Sequence, residues 1–364
     1  MATPEVQELT VRRDAAGYKD SSIAVRAFEP GVRERWDRFV LSQPEGSPHQ
    51  LIAWKRVLEK TFGYQPFYFY AERDGQLTAI APLFLISNWI MGRCLLSVPF
   101  GAYGGISAAD PESEEALLNH IKSLAVSEQV SYLELRNRSG RLLEGFHPNE
   151  LYVTFTSPIS ADNDKNLKAL PKDTRYMIRK AQKAGLEARH GTDQLRVFYD
   201  LFAHSMRKHG TPSFPYELFE NLIHEYRDQV DLLVVYAGSK PISGTLSLFF
   251  QDSVLPYYAG AGPEATRYAA NSFMYWKLME MSAEKGIRKF DFGRSKKGTG
   301  AYDFKTQWNM TVEPLRYQVF LVKRKTPPNF SPLNPKFQLA TRVWQKMPLW
   351  LTRRIGPSVV RWFP

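Results

Sequence analysis

Two apolar runs broken by a polar turn set the pattern of the chain. "PFYFYAERDGQLTAIAPLFLIS" reads as a strand, a turn at Asp74-Gly75 and a second strand. "VDLLVVYAGSKPISGTLSLFFQD" repeats that reading with its turn at Gly238-Ser239. After each hairpin comes a tyrosine-glycine stretch, "YGGI" at Tyr103 and "YAGA" at Tyr258. Helical periodicity follows, in "EEALLNHIKSLAVSEQ" and then in "NSFMYWKLMEMSAEKG". Each helix leads to a short strand and a polar turn, "SYLELRNRSG" and "RKFDFGRSKKG". Tyr258 stands 155 residues after Tyr103, and Phe292 stands 157 after Leu135. Five elements in one order at a near-constant offset describe two copies of one unit. A strand–helix–strand crossover makes its flanking strands parallel while the hairpin stays antiparallel, so the expected class is α/β, a mixed sheet with helices on its faces. The expected division is 20–160 for the first unit, 161–325 for the second and 326–364 for a basic, amphipathic helical tail.

Between the copies, "NLKALPKDTRYMIRKAQKAGLEARHG" predicts a helix capped by Asp173 or Thr174 and ended by Gly185, with Met177, Ile178 and Ala181 on one face. Arg175 and Arg179 lie four apart beside Lys172, Lys180 and Lys183. They are either a solvated face or an arginine clamp for phosphate or carboxylate, which the guanidinium fork suits. In the tail, Asn334 caps and Pro335 starts a helix whose Phe337, Ala340, Trp344 and Met347 form one stripe. Arg342 and Lys346 lie off the stripe, with Arg353, Arg354 and Arg361 further along. Such a helix lies flat on an anionic membrane or packs onto the second unit.

Composition narrows the function. Of 364 residues, 43% are hydrophobic and 23% charged, which calls for a packed core rather than disorder. Cys94 is the lone cysteine, excluding an internal disulfide and a thiolate metal cluster. The seven histidines are scattered, and His204 and His209 lack partners at ligand spacing, so no metal is expected. The polar N-terminus is not a secretory signal, and Ala79 to Met91, broken by Pro82 and Ser87-Asn88, falls short of the roughly 20 residues that span a bilayer. A soluble, cytoplasmic protein is expected. The net charge of +11 favours polyanions: nucleic acid, phosphorylated cofactors or an anionic membrane face.

The densest chemistry is "FDFGRSKKGTGAYDFKTQW", Phe290 to Trp308. "GRSKKGTG" imitates part of a Walker loop, but Thr299 stands where the lysine belongs and no helix-forming run follows directly. Lys296, Lys297, Gly298 and Gly300 can still make an anion nest, here assigned to donor phosphates together with Arg267, or else a basic surface turn. Tyr302, Phe304 and Trp308 are expected to be buried or to border substrate, with Lys305 at the rim of the rings reaching inward. Alternation sets Phe290 and Phe292 on one face and Asp291 on the other. Asp291 would orient or deprotonate an acceptor amine, or pair with Arg294 or Lys289; Arg294 is a candidate for substrate binding. Glu134 and Arg136 occupy the equivalent strand of the first copy. No Ser–His–Asp or Cys–His set is evident, which favours direct attack over a covalent intermediate. His49, Trp54 and Tyr103 are candidates for acceptor contact, and the glycines of "GAYGGI" allow backbone to approach a ligand or simply to bend.

The duplicated unit, "RYMIRKAQKAG" and the closing "FDFGRSKKGTGAYDFKTQW" resemble the Fem-type branch of the GNAT acyltransferase superfamily. "HQLIAWKRVLEKTFGY" and "SVPFGAYGGI" are similar to the FemAB-like proteins associated with bacterial exosortase (PEP-CTERM) and exopolysaccharide loci, over roughly His49 to Val322. The resemblance implies a tandem GNAT-like fold and acyl transfer to an amine or hydroxyl of a cell-envelope or exopolysaccharide intermediate. It also implies a donor, aminoacyl-tRNA in Fem-type enzymes acting on peptidoglycan precursor or acyl-CoA in ordinary GNAT enzymes, and a Phe-Lys pair whose lysine, Lys305 here, assists transfer. The pyrophosphate signature Arg/Gln-x-x-Gly-x-Gly/Ala of GNAT enzymes is replaced by "RYAANS", with Ala270 at the first glycine, whose methyl is expected to obstruct close approach of acetyl-CoA. A non-catalytic RNA-binding or scaffold protein of the same fold is the rival reading. Membrane contact through 334–364 would bring the enzyme to the inner membrane, where lipid-linked intermediates are made.

Overall fold

The computed structural model describes residues 22–328 and 335–364. Its first half runs β1 (Ala24–Ala27), α1 (Arg33–Ser42), α2 (Ile52–Phe62), β2 (Gln65–Arg73), β3 (Gln76–Asn88), β4 (Gly92–Ser97), β5 (Ser107–Ala108), α3 (Pro111–Ser127), β6 (Tyr132–Asn137), β7 (Phe146–Asn149) and β8 (Tyr152–Pro158). The second half runs α4 (Asn163–Ala169), α5 (Lys172–Lys183), β9 (Leu186–His190), α6 (Leu195–His209), α7 (Tyr216–Tyr226), β10 (Val230–Ala237), β11 (Lys240–Phe250), β12 (Ser253–Ala261), α8 (Ala270–Glu284), β13 (Lys289–Asp291), β14 (Ser295–Lys296), α9 (Gly300–Thr306), β15 (Thr311–Pro314) and β16 (Arg316–Leu321). The tail holds α10 (Pro335–Lys346) and α11 (Leu349–Val360).

Both hairpins form where the pattern puts them. Asp74 and Gly75 take φ of 50° and 76°, the left-handed pair that a tight two-residue turn needs. α3 starts at Pro111 because the Asp110 carboxylate accepts from the Ser113 amide at 2.8 Å. α5 begins earlier than its candidate caps: Pro171 precedes it, and the Thr174 hydroxyl donates instead to the Gln307 carbonyl at 2.6 Å.

Each sheet has the strand order of the other, and each borrows one strand. The first is ordered β1-β2-β3-β4-β6-β16-β7 and the second β14-β8-β13-β12-β11-β10-β9, with β15 also on β8. Thus β8 leaves the first half to lie against β13, and β16 returns from the second half to lie between β6 and β7. The division at 160 drawn from the repeat therefore cuts the chain where the sheets do not divide. Backbone pairing overrides chain proximity because a sheet lacking its inner strand would leave a row of unpaired amides and carbonyls.

A shared core joins the halves. It runs from Trp36, Trp54 and Leu58 on the helices of the first half to Phe198, Phe219 and Leu246 of the second. α3 covers the outer face of the first sheet and α5 with α8 that of the second. In the tail, α10 and α11 pack on α6, with Trp344 and Met347 half-buried, while Ala340 is exposed. The cap at Asn334 lies outside the described residues. The tail end also meets the first half: the Tyr64 hydroxyl donates to the Arg361 carbonyl at 2.6 Å, and Arg136 donates to the Pro364 oxygen at 3.0 Å. Among the described residues no helix is long and apolar enough to cross a membrane, and no group of three or more His, Cys, Asp or Glu could hold a metal ion.

Candidate active site

The parallel neighbours β12 and β13 pair only at Ser253–Lys289 and Val254–Phe290, after which β12 runs on along β11 alone. The gap that opens is bounded by α6, the start of α8 and α9. It holds a cavity of about 320 Å³ lined by Ser205, Gly260, Asn271, Tyr275, Phe304 and Lys305 among others. Gly260 permits the tight wall between β12 and α6, since a methyl there would lie 2.4 Å from the Phe202 backbone nitrogen. At the start of α8, Ala269 takes a left-handed backbone, φ 53° and ψ 35°. The expected obstruction by Ala270 does not arise at the cavity wall: Ala270 is fully buried in the second core, while Thr266 and Asn271 face the cavity. Arg267 is exposed beside this mouth, its guanidinium 5.3 Å from the Tyr268 ring centre.

Lys305 sits on α9. That helix does follow the glycine turn directly, contrary to the expectation from composition, because Thr299 caps it and Gly298 supplies a φ of 76°. Lys305 Nζ donates to the Phe292 carbonyl at 2.6 Å and less closely to Gly293, 3.3 Å away, and lies 5.6 Å from the Phe292 ring centre. Burial pulls its amine down to about 7; Asp291 opposes that shift and Arg294 adds to it. A lysine divided between ammonium and amine near neutrality, lining a cavity, can donate to a developing oxyanion or exchange a proton there. Phe304 lies between Tyr275 and Trp308, and Tyr302 meets Phe155 edge to face at 5.3 Å. Lys297 is exposed, and its amide donates to the Leu151 carbonyl.

Asp291 points to the opposite face, as alternation requires, and is 1% exposed. Its carboxylate accepts from the Tyr103 hydroxyl at 2.6 Å, the Thr154 hydroxyl at 2.6 Å, the Gly293 amide at 2.8 Å and Arg138 at 3.0 Å. Arg138 also holds Glu313 at 2.8 Å. The partner is thus Arg138 of the first half, not Arg294 or Lys289. All four contacts saturate Asp291, which ties the two sheets together rather than facing the cavity. Sequence reading passed over Arg138 although Glu134 and Arg136 just before it drew notice; nothing local signals a pair 153 residues apart.

The other candidates scatter. Arg175 spends its guanidinium on the Lys168 and Leu170 carbonyls, finishing α4, so it forms no clamp with the exposed Arg179. His49 and Trp54 are fully buried and packed ring to ring at 4.7 Å, with no surface left for an acceptor. Neither nitrogen of His49 has a hydrogen-bond partner, and burial lowers its pKa to about 3. Tyr103 meets Asp291 instead of solvent. Arg294 and Lys296 lie together over the Tyr152 ring.

Residues 169–306 match the model of the acetyltransferase (GNAT) domain. The chain as a whole has the fold of FemX: that structure superposes over 87% of this chain and all of its own with a TM-score of 0.65 at 16% identity. A conserved protein of unknown function from Bacteroides thetaiotaomicron is similar over 82% of this chain and all of its own, with a TM-score of 0.56 at 12% identity. The C-terminal domain of a proposed lysylphosphatidylglycerol synthetase from Agrobacterium fabrum covers 81% of this chain and 92% of its own, with a TM-score of 0.55 at 15% identity. No curated protein matches the sequence.

Proposed function

We propose that this protein is an acyltransferase whose transfer centre is Lys305 in the gap between β12 and β13. The observation that carries this reading is the Lys305 amine, held by two backbone carbonyls at the wall of a cavity in a GNAT domain, with its pKa brought to about 7. The donor carbonyl enters beside Thr266 and Asn271, its carrier reaching out past Arg267. The acceptor nitrogen or oxygen attacks that carbonyl directly. A C–N or C–O bond forms, the thioester or ester bond to the carrier breaks, the acceptor loses its proton and the carrier leaves as thiol or alcohol. The Lys305 ammonium donates to the carbonyl oxygen as it gains charge, a contact worth about 3 kcal/mol in comparable sites. Lys305→Ala is expected to keep donor binding and lose about 100-fold or more in turnover. Unchanged turnover would overturn the assignment. The acceptor proposed is a cell-envelope or exopolysaccharide intermediate, on the resemblance described above.

Aminoacyl-tRNA as donor is favoured by one observation. Lys172, Arg179, Lys180 and Lys183 are exposed on α5 together with Tyr176, 63% exposed, and α5 packs on α8 and bonds the end of α9. Cations with an exposed ring beside the cavity suit a nucleic-acid carrier. Binding of charged and uncharged tRNA and of acetyl-CoA at physiological salt separates the donors: preference for charged tRNA selects this reading, and preference for acetyl-CoA removes it.

The tail supports contact with an anionic membrane. With Trp344 and Met347 turned to α6, Leu339, Val343 and Trp350 stand 71%, 53% and 66% exposed among Arg342, Lys346 and Arg354. Apolar side chains ringed by cations fit anionic lipid headgroups. The full chain should sediment with vesicles containing phosphatidylglycerol and not with neutral ones, and Trp350→Ser should weaken that binding. Equal binding to both vesicles, or to neither, removes the membrane from the account.

A further inference from the structure

Charges around the junction of the sheets do not balance. Every carboxylate there already has a basic partner: Glu134 holds Arg136 at 2.7 Å, and Asp291 and Glu313 share Arg138. Because two carboxylates share one arginine, these three carboxylates face four cations once Arg294 and Lys296 are counted, an excess of one, and neither Arg294 nor Lys296 has an ion pair of its own among the described residues. The Arg294 guanidinium stands 5.2 Å from the Tyr152 ring centre. Lys296 Nζ lies 6.0 Å from the same ring, shielded from solvent and without a hydrogen-bond partner. Tyr152 stacks on Tyr317 at 5.0 Å, and the Tyr317 and Tyr257 hydroxyls donate to the Ala102 and Phe100 carbonyls. Those hydroxyls retain lone pairs but carry no negative charge.

Two half-buried cations beside one ring repel each other, and contact with an aromatic face offsets only part of the hydration they lose. Burial depresses Lys296, with Arg294 adding to the effect. A guanidinium stays charged regardless, so the imbalance calls for an anion from outside. The place matters too. Arg294 begins just beyond β13, and Lys296 pairs with Tyr152 of the exchanged strand β8. Arg294 follows Gly293, whose carbonyl lies 3.3 Å from Lys305 Nζ, so the surplus charge adjoins the transfer centre.

We propose that Arg294 and Lys296 form a receptor for an acidic group, carboxylate or phosphate, carried by the acceptor. Arg294 grips two oxygens with its planar fork, Lys296 supplies a point charge, and the Tyr152 ring forms the floor. Only the assignment of the acid to the acceptor rests on the acyl-transfer reading; anion binding is measurable with no donor present.

The test uses the full chain. Its melting temperature is followed in sodium phosphate, in sodium malonate and in sodium chloride at matched ionic strength. Wild type should show a saturable rise with phosphate or malonate beyond that in chloride. The anion giving the tighter response identifies the source, a phosphorylated or a carboxylated acceptor. In Arg294→Gln the apparent Kd should rise about 10-fold or more, and Lys296→Gln should weaken binding to a smaller extent. With chloride alone Arg294→Gln should be at least as stable as wild type, since it removes an unpaired charge. Lys305→Ala should keep the anion response. The proposal is overturned by a response no larger than in chloride, by an equal response in wild type and Arg294→Gln, or by a fall in melting temperature for Arg294→Gln in chloride with no anion effect in wild type. An intact anion response with unchanged turnover in Lys305→Ala overturns the acyl-transfer reading alone.

Discussion

At Lys305 and His49 burial acts on two bases with different outcomes. Lys305 ordinarily ionises at 10.5 and is brought to about 7. The unfolded chain holds that proton between those values while the folded chain has released it, so this group's contribution to stability rises with pH from about 7 to 10.5. In catalysis the share of ammonium declines as pH rises through 7. The alkaline limb of kcat/KM should therefore report Lys305, and it should move up in Lys305→Arg, which stays charged. An unmoved limb would assign that ionisation elsewhere. His49 is depressed from 6.5 to about 3. Its unfolded form takes up a proton below 6.5 that the folded form refuses, so stability falls as pH drops from 6.5 towards 3. His49→Phe keeps a ring among Trp54 and Tyr257 and gives up two unpartnered nitrogens. Its unfolding free energy at pH 5, relative to pH 8, should exceed that of wild type by about 2 kcal/mol in urea titrations. The residue types at both positions were legible. The role of His49 was not, because a buried histidine and a site histidine look alike until exposure is known.

Among the elements, β13 shows how one short strand serves two purposes. Phe290 and Phe292 enter the second core, the Phe292 carbonyl holds Lys305, and Asp291 on the other face binds the first half. Removing one partner of a buried ion pair costs about 3–5 kcal/mol. Asp291→Ala and Arg138→Met should each lower the unfolding free energy, read from urea titrations, by an amount in that range. The double variant should lose clearly less than the sum, giving a coupling that a catalytic base without this pair would not show. Alternation in the sequence gave the correct faces of β13, and periodicity gave α3, α8 and both hairpins. The glycine turn misled because α9 has seven residues and depends on the Thr299 cap more than on apolar spacing. In the tail, Trp344 and Met347 of the stripe are half-buried where α10 packs on α6, one of the two places read for it, while Ala340 and a second set of apolar residues, Leu339, Val343 and Trp350, stay exposed.

For the whole molecule, strand exchange makes the halves interdependent. A fragment of residues 1–160 would keep β8 with no sheet to join and would leave an empty place between β6 and β7. It would also expose Trp36, Trp54 and Leu58 where the shared core continues into the second half. Expressed alone, this fragment should be insoluble or lack a cooperative unfolding transition by circular dichroism; co-expression with 161–364 should restore both. A monomeric 1–160 that unfolds cooperatively would refute the interdependence. By itself, the sequence determined the repeat, the mixed α/β class and the hairpins, because each follows from side-chain period or turn residues, whereas the Phe-Lys pair stood out through a family resemblance. The tertiary structure alone decided which sheet β8 and β16 complete, that Asp291 answers to Arg138, and that Arg294 and Lys296 stand without counter-charge. Those are matters of which distant residues meet and which are kept from water, and local pattern carries no information about either.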